Sequence, residues 1–302
     1  MKRKILALSL VICLALVAVA GASLAYLTDT DEATNVMVLG KVKIEQLEYE
    51  RIVDEDGKWI PVGTTDKYGC IPDQIQEFTQ SKPLYPAVFA DGAIKWDDRV
   101  SGHVQSWGEI DAPGSHKLFD DSVKNVIDKF VFVKNTGTFD AYVRTIIAYE
   151  QGSLSAAQFN DVIALNADIN GEDGNKGHWE GETVATDVAI GKSTYVVLCY
   201  TYRGPHSDPT GILAPGAVSY PSLLQIYMKP LATNEDVVAV DGNANGTYDV
   251  IVLSQAVQTA GFVNTAIEGY KNATKALDTA FGDVTAETAA TWLEEVSTVV
   301  ES

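Results

Sequence analysis

The residues of this chain best suited to chemistry lie in one acidic loop. Asp241, Asn243, Asn245, Thr247 and Asp249 occupy alternate places of a single stretch, with Gly246 between them. That is the ligand spacing of a calcium loop, in which side-chain oxygens and one main-chain carbonyl, here that of Thr247, surround the ion while glycine makes the sharp turn. The place that should carry a bidentate glutamate is Val252, and Tyr248 to Leu253 has the character of a strand, where such a loop is followed by a helix. An Asn-Gly hairpin turn is the competing reading of the same residues. Calcium is the one cofactor the sequence offers. A second polar cluster, Asp168, Asn170, Asp173 and Asn175, has the composition without the spacing.

Other chemistries find less support. His103, His116, His178 and His206 are scattered through loop-like segments, with no His-Glu-x-x-His pair to put two zinc ligands and a base on one helical face. They read as exposed loop histidines. No Gly-x-Ser-x-Gly elbow or phosphate-cradling glycine loop occurs, so no catalytic residues are assigned and the chain reads as a non-enzyme. Cys70 and Cys199 would remain after removal of a signal segment; they could form one disulfide, and nothing in their spacing brings them together. Trp59, Trp96, Trp107, Trp179 and Tyr220 could line a glycan-binding face, or they could be lids on a core.

Export dominates the N-terminus. Lys2, Arg3 and Lys4 precede an apolar run from Ile5 to Ala20, and Ser23 and Ala25 supply the small residues of a cleavage site before Tyr26. The alternative is an uncleaved anchor, because no charge occurs between Ile5 and Thr28. With cleavage, the membrane is met only during export, and the mature protein is secreted to the matrix or cell surface. The formal net charge of −19 becomes more negative still once the three basic residues leave. A surface of that sign excludes nucleic acid as a partner, since phosphate binding needs clustered Lys and Arg.

These features must be carried by a mostly β scaffold. A hydrophobic fraction of 46% over 302 residues suffices for a large core. Tyr26 to Asn35 has no apolar period, whereas Val36 to Leu47 alternates as a strand. Residues 51 to 62 suggest a hairpin turned on Asp56-Gly57, and 68 to 125, rich in Pro and Gly, an irregular insertion. Val126 to Ala148 reads as two strands of a core hairpin about Lys134 to Gly137. Ser155 and Gln158 make a capping box for a helix over 156 to 165. Strands are expected over 183–190, 194–202 and 219–228, which predicts an antiparallel sandwich. Val263, Ile267, Tyr270, Ala273, Leu277 and Phe281 then recur at helical steps, and Thr285 can cap a last helix. The division is therefore a signal segment over 1–25, a β domain over 26–253 and a helical segment over 254–302.

The junction SLAYLTDTDEATNVMVLGKVKI over 23 to 44 resembles that of proteins exported through the dedicated signal peptidase SipW, the TasA and camelysin family. The same pattern appears in KPLYP from Lys82, in IDKFVFVKNTGTFDAYVRTIIAYE from Ile127, in LAPG from Leu213 and over Tyr248 to Phe262. It is strongest at the junction and over the expected hairpin, at Asn135, Gly137, Tyr142 and Arg144. The resemblance implies a jelly-roll-like β-sandwich, processing by SipW, and biofilm-matrix fibres built by donation of an N-terminal strand. Val36, Val38, Gly40, Val42 and Ile44 are the candidates for that strand and its hinge. Camelysin has been classed as a metallopeptidase, and no zinc motif transfers to these residues. Long loops and a helical tail depart from the family pattern and could cap an open edge.

Overall fold

The computed structural model of the protein describes residues 28–31, 42–55, 75–89, 104–106, 117–120, 122–169, 177–205, 209–262 and 269–300. It is mainly β, and its sheets are antiparallel. In chain order the strands are β1 (Thr28–Asp31), β2 (Ile44–Arg51), β3 (Ile75–Glu77), β4 (Val88–Phe89), β5 (Val104–Ser106), β6 (Lys117–Phe119), β7 (Val123–Lys124), β8 (Val126–Asp128), β9 (Phe130–Asn135), β10 (Ala141–Glu150), β11 (Ile163–Ala167), β12 (Trp179–Ile190), β13 (Ser193–Tyr202), β14 (Ile212–Leu213), β15 (Leu223–Met228) and β16 (Val250–Gln258). The described helices are α1 (Ala156–Val162), α2 (Asn234–Val240), α3 (Tyr270–Phe281) and α4 (Ala286–Val300).

The largest sheet has the order β1-β16-β10-β13-β12, with β14 also pairing to β10. All ten residues of β10 are buried, because both faces of this strand are covered. Ala141, Val143, Ile147 and Tyr149 join the main core, which Phe130, Phe132, Leu223 and Ile226 enter from other strands. Ile146 and Ala148 point the other way, onto Ala289, Leu293 and Val296 of α4. This is the period-2 alternation of a strand, with apolar residues in both phases.

The second layer contains two three-stranded sheets, β3-β2-β9 and β11-β15-β8. They act as one. Lys129 N donates to Leu224 O (3.0 Å), Ser222 N to Val131 O (2.9 Å), Ser219 N to Val133 O (2.8 Å) and Asn135 N to Ala217 O (2.9 Å), so residues 217–228 follow β8 and β9 along their whole length. A buried ion pair fastens this layer: Arg51 Nε and Nη2 grip both oxygens of Asp128 at 2.5 and 2.7 Å. Bidentate geometry of this kind offsets the desolvation of both charges.

Several expectations need correction. β9 and β10 are not a hairpin: β9 pairs with β2, while β10 pairs with β13, β14 and β16 in the other layer. Both strands are buried nearly throughout, so each needs neighbours above and below as well as beside it. Asn135 makes the crossing. Its amide donates to Phe139 O (2.8 Å) and Leu213 O (2.9 Å), its Oδ1 accepts from Gly137 N (2.9 Å), and Lys43 O accepts from Thr136 N and Gly137 N. The expected 156–165 helix stops at Val162, where the β-branched Ile163 begins β11. β16 runs through the expected domain boundary at residue 253. The expected turn at Asp56-Gly57 lies outside the described residues.

Candidate functional site

A four-residue strand, β1, ends the order of the largest sheet. β1 lies on the outer border of β16 in unbroken antiparallel register, Thr28 opposite Val257, Asp29 opposite Ala256, Thr30 opposite Gln255 and Asp31 opposite Ser254. The rest of that border is met by the second layer: Gln46 of β2 donates to Val252 O (3.5 Å) and accepts from Ser254 Oγ (2.8 Å). Main-chain pairing therefore holds β1, as in any strand added to an open edge.

The strand that pairs at this border is not the stretch expected from the sequence. The pairing segment is Thr28–Asp31, upstream of the expected Val36–Ile44 stretch. Val42 and Ile44 are fully buried, and Ile44 pairs with Asn135, so neither can leave without opening the core. Val36, Val38 and Gly40 lie outside the described residues, as do Ser23, Ala25 and Tyr26 of the cleavage site.

Arg144 of β10 lies opposite Gln255 of β16. It is buried, and its Nε donates to Gln255 Oε1 (2.8 Å), Nη1 to Asp278 Oδ1 (2.8 Å) and Nη2 to Gly282 O (3.1 Å). Burial pulls its pKa below the ordinary guanidinium value, and Asp278 works against that shift. Tyr142, another residue of the expected hairpin, packs on Ala273 and Leu277 of α3, and burial raises its phenol pKa. Sequence reasoning passed over Gln46, Gln255 and Asp278. The signal was there: a glutamine or arginine inside an otherwise apolar buried strand, as in AYVRTIIAYE and VIVLSQAVQ, must find an internal partner.

The acidic loop follows α2, whose capping box joins Thr233 and Asp236. Asp241 accepts from Asn245 N (3.0 Å) and Gly246 N (2.9 Å), while the amides of Asn243 and Asn245 donate to the Asp249 carboxylate at 2.6 and 3.1 Å. Thr247 Oγ1 reaches Asn245 Oδ1 and Asp249 Oδ1. The five residues named from sequence thus converge, closed by their own hydrogen bonds. Ala244 and Gly246 adopt left-handed backbone, with φ of 57° and 80°. The loop is pinned from below by Glu150, fully buried at the end of β10, which accepts from Gly242 N (2.9 Å) and Asp249 N (3.2 Å). Burial raises the Glu150 pKa above the usual carboxylate value. Among the described residues, no three His, Cys, Asp or Glu side chains converge as a metal site.

The remaining candidates separate. Cys199 is a buried free thiol pushed up to about 12 by burial, while Cys70 lies outside the described residues. His178 is not an exposed loop residue: it is buried, its Nδ1 lies 2.7 Å from Asp168 Oδ2, and its ring stacks on Tyr220 at 3.5 Å. His103, His116, His206, Asn170, Asp173 and Asn175 lie outside the described residues. Trp179 is fully buried and donates to Tyr220 O (2.9 Å), so these two aromatics belong to the core; Trp59, Trp96 and Trp107 lie outside the described residues. Among the described residues no helix is long and apolar enough to cross a membrane. Comparison of the chain with family models, with curated proteins and with solved structures gave no match.

Proposed function

We propose that this chain is a secreted structural protein of the cell surface or extracellular matrix, TasA-like, with a jelly-roll-like sandwich that self-associates by exchanging its N-terminal strand. The observation that carries the reading is the pairing of β1 with β16: four residues just beyond the expected cleavage site occupy a sheet border through main-chain hydrogen bonds. The same segment of a second copy could make the same main-chain pairs. Export through SipW would free this end. Burial of Trp179 and Tyr220 weighs against a glycan-binding face built on them, and the metallopeptidase reading has no converging ligands among the described residues.

Electron microscopy of the purified chain beginning at Tyr26, beside one with a folded tag ahead of Tyr26, tests the proposal. Fibres from the first and none from the second are expected. Monomers from both, at high concentration and in acid, would overturn it.

A further inference from the structure

The acceptor strand is backed by a helix. Val257, which pairs with Thr28, packs with Tyr142 on Ala273, Ala276 and Leu277 of α3. Gln255, which pairs with Thr30, is held by Arg144. The Arg144 guanidinium reaches Asp278 and Gly282 at the end of α3 and lies over the rings of Phe281 and Trp292 at 5.8 and 5.6 Å. One side chain therefore touches β16, α3 and α4 together. At its other end α3 is met by Arg203, whose guanidinium lies 4.8 Å from the Tyr270 ring.

We propose that α3 and α4, docked through Arg144, act as a brake on strand exchange: they order β16 and so slow the release of β1. The proposal rests on the strand-exchange reading. An ordered border loses little freedom when a strand pairs with it, so pairing is tighter and opening rarer. A strand from the same chain and one from a neighbour use the same border, so the helices contribute equally to both closed states. The docked helices thus set the rate of exchange and leave its end-point alone.

The test uses the full mature chain with Trp292→Ala or Asp278→Asn, both outside the sheet. Hydrogen exchange should become about fivefold faster in residues 28–31 and 250–258. The lag before fibres appear should shorten, with the final fibre mass unchanged. Loss of protection confined to 270–300, or a fall in final fibre mass, would overturn the brake. Trp292→Ala failing to fold would appear as lost protection everywhere, and Asp278→Asn, which keeps the shape of a partly exposed side chain, then decides. If the unaltered chain never forms fibres but the variants still speed exchange at 28–31, the coupling stands and the assembly reading falls.

Discussion

At one border of the largest sheet, β1 meets β16 through four residue pairs in unbroken register; at the other, the long β12 follows β13 through a register that slips between Thr183 and Ala185 and again between Ala185 and Val188. Asp187 sits within the second slip with a φ of 56°, fixed by Gln151, whose Nε2 donates to Asp187 Oδ1 (2.7 Å) and whose Oε1 accepts from Asp187 N (2.9 Å). Irregularities of this kind spoil the regular row of N–H and C=O groups that a further strand would need. The two borders solve one problem in opposite ways. The β12 border is finished by distortion, and the β16 border by a short strand from the chain's own N-terminal region.

The comparison breaks most completely if the short strand is dispensable. Deleting residues 26–31 should abolish fibres and strip amide protection from 250–258 while leaving 179–190 protected, read by electron microscopy and hydrogen exchange. Fibres from the deleted chain would place the contact elsewhere. A smaller effect is expected at the opposite border: Asp187→Ala should cost about 1–3 kcal/mol in urea unfolding, since the buried Gln151 amide loses an acceptor and alanine tolerates the left-handed backbone poorly. An unchanged unfolding midpoint would mean that this pair does not hold the distortion.

Glu150, at the end of β10, extends the comparison to pH. Burial raises its carboxyl pKa above the ordinary value. A raised acid favours the folded state when protonated, so its contribution is present below the unfolded pKa and fades as pH rises through the folded one. Melting temperature should therefore rise as pH falls from neutral toward the ordinary carboxylate range, and Glu150→Gln should flatten that rise. A chain that loses stability steadily over this window would contradict the assignment. Calcium should do least. With two carboxylates and no twelfth-place glutamate, affinity falls in the millimolar class, and about 1 mM ion then adds about 0.4 kcal/mol, or less than about 2 °C. Calorimetric titration giving micromolar affinity would show that the Asn243 and Asn245 amides rotate to offer their oxygens.

Local signals were legible and long-range ones were not. Ser155 and Gln158 form the capping box that their spacing announces, and α1 follows it. Thr233 and Asp236 do the same for α2, a helix that could have been read from its Thr-x-x-Asp spacing. The run from Val126 to Ala148 gave both strands but the wrong partnership, because alternation states which residues are buried and not which strand lies beside them. Thr28–Asp31 carries no apolar period at all, so its place on β16 comes from main-chain pairing, to which composition is blind. His178, expected in an exposed loop, and Trp179 are both buried, and the Gly177 before them marks a close approach of two segments, since a β-carbon there would meet Ile169 C at 2.1 Å.

The crossing at Asn135 has a consequence for how the chain reaches its native state. From β9 to β12 each successive strand changes layer, and β10, at the centre of the largest sheet, closes against a strand whose Gln255 lies 111 residues from Arg144. Contacts so distant in sequence are slow to form, since much chain must be ordered before they repay the entropy. During synthesis β10 emerges without β16 beside it. The polypeptide therefore remains incompletely folded until β16 has been made.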